Sequence, residues 1–176
     1  MKKVSAALRA RFKKVRFLLL DVDGVLTDGR IVYDANGVDA RFYDVQDGLG
    51  VYLLGEMGIK TILITAKGSR CLRPRARDMR VEAVYEDIVK IRPYKKILKR
   101  FGVSDDEVCF MGDDFVDLAV MRRAGVAVAP RQAAAEVRKV ADYVTQREGG
   151  RGAVREVAEL ILQCQGLWHR ALKIYE

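Results

Sequence analysis

Histidine and tryptophan each occur once in this chain, and cysteine only three times. The single His169 lies beside Trp168 near the end with no companion ligand, so it reads as a surface or interface residue rather than part of a metal centre. Three cysteines are an odd number without metal-ligand spacing, and Cys109 falls inside an apolar run; all three are expected to be reduced structural thiols. No apolar stretch has the length that spans a bilayer, and no signal-peptide core follows Met1-Lys-Lys, which argues against a membrane role and for a cytoplasmic one. Linkers and low-complexity runs are missing too. With 176 residues, 50% of them hydrophobic, the chain suits one compact domain with a full core.

What the chain concentrates, at two places, is aspartate. Asp21-Val-Asp23-Gly-Val-Leu-Thr-Asp28 follows the apolar run Phe17-Leu-Leu-Leu20 directly, which puts two carboxylates at the C-terminal end of a buried parallel strand. Side chains alternate along a strand, so Asp21 and Asp23 face the same side, one placed to attack and the other to exchange protons. A bare pair of acids is weak evidence, because such pairs also cap helices or sit in solvated loops. The second cluster, Gly112-Asp113-Asp114-Phe-Val-Asp117, again closes a short apolar strand. Asp113 and Asp114 alone could cap the following helix. Two strand-end clusters in one small domain argue instead for a shared site. Like charges buried together raise each other's pKa, and a hard divalent cation such as Mg²⁺ removes that conflict with carboxylate, water and phosphate oxygens.

Strand and helix patterns alternate along the chain. Strands are expected at 17–22, 60–65, 82–85, 107–111, 125–129 and 142–145, and helices at about 47–57, 69–79, 92–101, 114–123, 133–140 and 152–164. This predicts an α/β, Rossmann-like doubly wound parallel sheet with helices on both faces and no inserted cap domain. Between the first strand and helix, Arg30-Ile-Val-Tyr-Asp34 and Val38-Asp-Ala-Arg-Phe-Tyr43 flank the turn signal Ala35-Asn36-Gly37, predicting a protruding β-hairpin. Three segments result: a basic leader over 1–16, the catalytic domain over 17–166 and a C-terminal tail over 167–176. Val4, Leu8, Phe12 and Val15 give the leader a narrow apolar stripe, expected to pack on its own domain rather than on a membrane.

The net charge is +8, and the basic residues gather in 2–16, 70–80 and 90–100. Nucleic acid is a possible partner on charge alone. Yet no recognised nucleic-acid motif accompanies the charge, and the basic residues alternate with apolar partners such as Ile97 and Leu98 at helical spacing, as solvated helix faces do. A basic rim also draws small anions, so a phosphorylated or carboxylated substrate is favoured over a polymer.

Taken together, Asp21-x-Asp23-Gly, Thr65 at the end of the next strand, Lys90, and Gly112-Asp113-Asp114-x-x-Asp117 resemble the four motifs of the haloacid dehalogenase superfamily of phosphatases. The missing cap, the hairpin and Gly149-Gly-Arg-Gly-Ala-Val-Arg-Glu156 are similar to its family of 3-deoxy-D-manno-octulosonate 8-phosphate phosphatases, which serve lipopolysaccharide precursor synthesis. The resemblance implies a phosphoric monoester hydrolase in which Asp21 attacks phosphorus to form an aspartyl phosphate and Asp23 serves as acid and then base. It implies Mg²⁺ held by Asp21, the Asp23 carbonyl and Asp113, with Asp114 and Asp117 in support, and phosphoryl oxygens held by Thr65 and Lys90. Thr65 also suits a helix cap, and Lys90 is one of several nearby lysines. The family further implies substrate contacts from Lys67, Arg75 and Arg151, and a homotetramer in which hairpin and tail help close neighbouring sites.

One departure stands out. The family follows its threonine with Gly-Arg, whereas this chain has Ala66-Lys67, and lysine lacks the arginine fork. A phosphatase for a nine-carbon sugar-acid 9-phosphate is therefore the alternative, with a nucleic-acid end phosphatase behind it. A vestigial, non-catalytic domain would require a missing nucleophile or metal ligand, and none is missing.

Overall fold

The computed structural model describes residues 4–176; residues 1–3 of the basic leader lie outside the described residues. Helix α1 (Ala6–Phe12) leads into strand β1 (Phe17–Leu20), and a small antiparallel hairpin of β2 (Val32–Tyr33) and β3 (Asp39–Ala40) follows. Then come α2 (Val45–Glu56), β4 (Lys60–Thr65), α3 (Leu72–Asp78), β5 (Ala83–Glu86) and α4 (Ile91–Phe101). The last part holds β6 (Val108–Met111), α5 (Leu118–Met121), β7 (Val126–Ala129), α6 (Ala135–Val140), β8 (Tyr143–Val144), α7 (Ala153–Cys164) and α8 (Trp168–Leu172). Six strands form one parallel sheet in the order β5-β4-β1-β6-β7-β8. The chain winds outward from β1 through β4 to β5, then returns to β6 on the other side, so the strand order reverses at β1. Open α/β sheets hold their ligands at the C-terminal ends of strands at such a reversal.

Alternation along β1 explains its unbroken apolar run. Leu18 and Leu20 enter a core built with α1, α2, α3, α7 and α8, while Phe17 and Leu19 enter a second core with α4, α5 and α6. Every residue of β1 and β6 is buried, as expected for central strands covered on both faces. The leader belongs to the first core: Ser5 caps α1, and Phe12 and Val15 are buried in it. Arg11 forks onto Asp142 at 2.6 and 2.7 Å, and the Gln165 amide donates to the carbonyls of Phe12 and Val15. All three cysteines are free, Cys109 and Cys164 buried and Cys71 half-buried. His169 is exposed. Among the described residues no helix is long and apolar enough to cross a membrane.

Several elements are shorter than their sequence pattern suggests. The helix expected over 114–123 is a 3₁₀ turn, Phe115–Asp117, followed by the four-residue α5. Asp114 accepts from the Phe115 N–H and Asp117 from those of Asp113 and Asp114, and these side-chain bonds tighten the turn where an α-helix would begin. Helix α3 starts at Leu72 rather than 69, because the Ser69 hydroxyl engages the Cys71 N–H first. In the hairpin the Asp34 carboxylate accepts from the N–H groups of Asn36 and Val38, leaving two paired residues per strand.

Helix α7 has glycine as its N-terminal flanking residue and so cannot cap itself with a side chain. Asp47, fully buried on α2, does so from outside, accepting from Gly152 N at 3.1 Å and Arg155 N at 2.8 Å. Burial pushes the Asp47 carboxyl up to about 6, the backbone donors pulling in the opposite direction. The native state thus keeps this proton after the unfolded chain has lost it, so the stabilisation is complete below the ordinary aspartate range and declines as pH rises through about 6. Relative to Asp47→Asn, the wild type is expected to lose roughly 2 kcal/mol between pH 4 and 7, read from urea unfolding at each pH.

Candidate active site

The site is assembled by the sheet register. Asp21 N donates to Met111 O at 3.0 Å, extending the β1–β6 ladder by one residue and fixing the first acid at the sheet edge. Asp113 and Asp117 come from the loop and 3₁₀ turn beyond β6, and Lys90 stands at the entrance to α4. Carboxylate oxygens of Asp21, Asp113 and Asp117 lie within 4.8 Å of one another. The Lys90 ammonium sits between Asp21 Oδ1 and Asp117 Oδ1, 2.6 Å from each, with its side chain fully buried. Lys95 and Lys96 are exposed on α4, so among these three lysines only Lys90 enters the cluster.

One ammonium faces three carboxylates, and the balance shows in their proton affinities. Burial, with the Asp117 charge added, raises Asp21 well above the usual carboxylate range against the pull of Lys90. Burial and Asp117 likewise push Asp113 up to about 6. Desolvation works against the Lys90 charge, but the two carboxylates outweigh it and its pKa is raised. Lys90 therefore stays charged. Asp117 Oδ2 accepts from the backbone N–H groups of Asp113 (3.0 Å) and Asp114 (3.3 Å), which folds the second acidic loop around it.

The loop after β1 is shaped by close approach. Gly24 has φ +90°, and a Cβ on it would overlap the Asp113 carboxylate. The Thr27 hydroxyl accepts from Gly24 N and Gly29 N, both at 3.2 Å. Gly149 packs its backbone against the Gly24 carbonyl, leaving no space for a side chain. Gln132 joins the two loops, donating to Gly24 O at 2.7 Å and accepting from Gly149 N at 2.9 Å. Nothing in the sequence singled out Gln132 beyond its place after a strand that ends at the site.

Around this centre the predicted residues are placed differently from one another. Thr65 is buried at the end of β4, its hydroxyl donating to Lys67 O (3.0 Å) and accepting from Lys67 N (3.3 Å), so it closes a local turn. Asp114 is exposed and caps the Phe115 N–H. Lys67 Nζ donates to Tyr33 OH of the hairpin at 2.7 Å. Arg75 donates to Asp44 O at 2.7 Å and lies over the Tyr43 ring and Gly48, away from the acidic cluster in all these contacts. Arg151 is exposed on the rim, 4.0 Å from Asp28. Asp23 is met by Arg41, a hairpin residue that sequence reasoning passed over: Nε reaches Oδ1 at 2.6 Å and Nη2 reaches Oδ2 at 3.1 Å. The signal for Arg41 was present only as one cation in an alternating strand.

The donor set fits a hard divalent cation. All the candidate ligands are oxygens, three carboxylates outweigh one ammonium by two charges, and Asp113 Oδ1 is buried with no hydrogen-bond partner. Removing the ammonium of this cluster exposes the same imbalance. Lys90→Met leaves Asp21 and Asp117 buried without their counter-charge and is expected to cost ~3–5 kcal/mol in metal-free denaturant unfolding.

Comparison with known proteins places this geometry. Residues 56–156 match the model of the haloacid dehalogenase-like hydrolases. A 3-deoxy-D-manno-octulosonate 8-phosphate phosphatase of Escherichia coli is 35% identical over 164 residues, covering 93% of this chain and 87% of the relative. The phosphatase of the same description from Haemophilus influenzae is 34% identical, covering 90% and 89%. The Moraxella catarrhalis octulosonate 8-phosphate phosphatase, solved with magnesium, phosphate and its sugar acid, superposes with a TM-score of 0.95 at 31% identity over 98% of this chain and 100% of that one. The chain belongs to the haloacid dehalogenase-like hydrolases, in the family of the 3-deoxy-D-manno-octulosonate 8-phosphate phosphatases.

Proposed function

We infer that this protein hydrolyses 3-deoxy-D-manno-octulosonate 8-phosphate in a Mg²⁺-dependent reaction, releasing phosphate and the free sugar acid for lipopolysaccharide precursor synthesis. The observation that carries this reading is the cluster of Asp21, Asp113 and Asp117 oxygens around the buried Lys90 ammonium. Asp21, Asp113 and the backbone carbonyl of Asp23 would hold the cation, which when bound neutralises the carboxylates and the charge of a phosphoryl group. Asp21 attacks phosphorus, and the ester bond breaks as Asp23 gives its proton to the leaving sugar oxygen. Asp23 then takes a proton from the water that attacks the aspartyl phosphate, and Asp21 returns to its starting form. Lys90 pulls Asp21 toward its ionised form and orients it, and Thr65 stands on the phosphoryl side of the site.

Lys67, Arg75 and Arg151 belong to the rim of this reading rather than its centre. Arg151 is free enough to turn toward a sugar acid; Arg75 acts through Tyr43 and the start of α2. The free thiols suit a reducing cytoplasm. A homotetramer is supported by apolar side chains left outside on the hairpin and its flank, Phe42 at 73% and Val45 at 81% exposed, and by Tyr175 in the tail at 62%. A sedimentation measurement giving a monomer would remove that part.

The decisive test is phosphate release, with and without Mg²⁺, from octulosonate 8-phosphate, a nine-carbon sugar-acid 9-phosphate, hexose phosphates and nucleotides. Preference for the octulosonate ester is expected, with Asp21→Asn inactive and Asp23→Asn slower by on the order of 10²–10⁴. Preference for the nine-carbon ester would transfer the assignment to that substrate. Mg²⁺ should also raise the melting temperature of the wild type, by the equivalent of about 2.7 kcal/mol at a hundred times its dissociation constant, and Asp113→Asn should lose most of that shift.

A further inference from the structure

The contact that the reaction scheme leaves unexplained is the one on Asp23. Arg41 stands just after β3, its side chain fully shielded from solvent, although arginine is among the residues least often buried. Its guanidinium spans two carboxylates. Nε and Nη2 take both oxygens of Asp23, and Nη1 donates to Asp39 of the same hairpin. Asp39 is held in turn by the Ser69 hydroxyl at 3.2 Å, from the loop after β4. A continuous chain of charge-assisted bonds therefore runs from that loop through Asp39 and Arg41 to the carboxylate proposed to move the proton.

A two-point fork fixes the plane of a carboxylate, which a single donor does not. Asp23 needs such a fixture because its side chain is about a quarter exposed and has no other hydrogen bond among the described residues. We propose that Arg41 is a positioning residue for the reaction: it aims the Asp23 carboxyl at the ester oxygen of the bound phosphate and holds the carboxylate formed once the proton has left. Ser69 and Asp39 anchor the fork. This rests on the assignment of Asp23 as proton donor above, and the balance is unchanged: the Asp21–phosphorus bond forms, the phosphorus–oxygen bond breaks, and the Asp23 proton ends on the leaving oxygen.

The role separates esters by leaving group. An alkyl ester such as a sugar phosphate needs the proton, while an aryl ester such as p-nitrophenyl phosphate departs without it. The comparison uses kcat/KM, which covers steps only through loss of the leaving group. In Arg41→Met with Mg²⁺, the ratio of kcat/KM for the sugar phosphate to that for the aryl phosphate is expected to fall roughly tenfold to a hundredfold. Asp39→Asn, which keeps the fork and loosens its anchor, should lower the ratio in the same direction by less. In an Asp23→Asn background, adding Arg41→Met should leave the ratio where Asp23→Asn alone sets it, because the two residues act as one unit.

A ratio unchanged in both Arg41→Met and Asp39→Asn, with the two esters falling together or not at all, overturns the proposal and leaves Arg41 a purely structural ion pair. Multiplicative losses in the double variant overturn it as well. If Arg41→Met does not fold, Asp39→Asn decides by the same ratio. A wild type that cleaves aryl and hexose phosphates but not the octulosonate ester removes the substrate assignment and leaves the Arg41 comparison standing on the hexose phosphate. A wild type that cleaves no ester removes both.

Discussion

The structure turns on an uneven charge balance at the C-terminal edge of its sheet: one buried ammonium set among three carboxylates. Lys90 lies 2.6 Å from both Asp21 and Asp117, and neither acid would be held in the interior without it. The lysine nevertheless leaves Asp113 uncompensated, with an oxygen that bonds to nothing. A protein interior normally eliminates such an orphan. Here it persists because the surrounding backbone is committed to holding it: the N–H groups of Asp113 and Asp114 are bound by Asp117, and Gly24 gives up its side chain to make room.

The sheet makes this concentration of charge tolerable. Both faces of β1 and β6 are covered by apolar cores, so the two acidic loops leave rigid strands in register and their directions are not free. Tightening at the loops completes the placement. The 3₁₀ turn after Asp114 brings Asp117 back under Asp113, and Gln132 ties the loop after β1 to the glycine pair before α7. Rigidity is bought twice over, by packing below the site and by hydrogen bonds around it.

Much of this was legible in the sequence, for physical reasons. The six parallel strands and their helices followed from apolar runs alternating with helical spacing, and the two acid clusters followed from where those runs stopped. Lys90 was harder, since charge alone does not distinguish it from Lys95 and Lys96; only the packing of α4 separates them. Arg41 and Gln132 were not legible at all. Each acts through a contact with a residue distant in the chain, Asp23 or Gly24, and a single polar residue in a short strand or loop carries no periodic signature. Element ends were misjudged where side chains of Ser69, Asp114 and Asp117 took over backbone N–H groups, because periodicity reports the buried face and not the competition at its margins.

The glycine at position 24 carries an implication for lineage. Its positive φ favours glycine, but asparagine or aspartate tolerate such backbones as well. What forbids them is the carboxylate of Asp113 lying where their first side-chain carbon would go. The steric part of the restriction therefore lasts only as long as Asp113 does, while the positive φ goes on favouring glycine. In a descendant copy that had given up its cation and lost that acid, position 24 would be held by its backbone preference alone and could drift toward residues such as asparagine, while the strands and cores kept their pattern. A filled position 24 beside an altered position 113 would mark a retired enzyme even where the rest of the fold still looked intact.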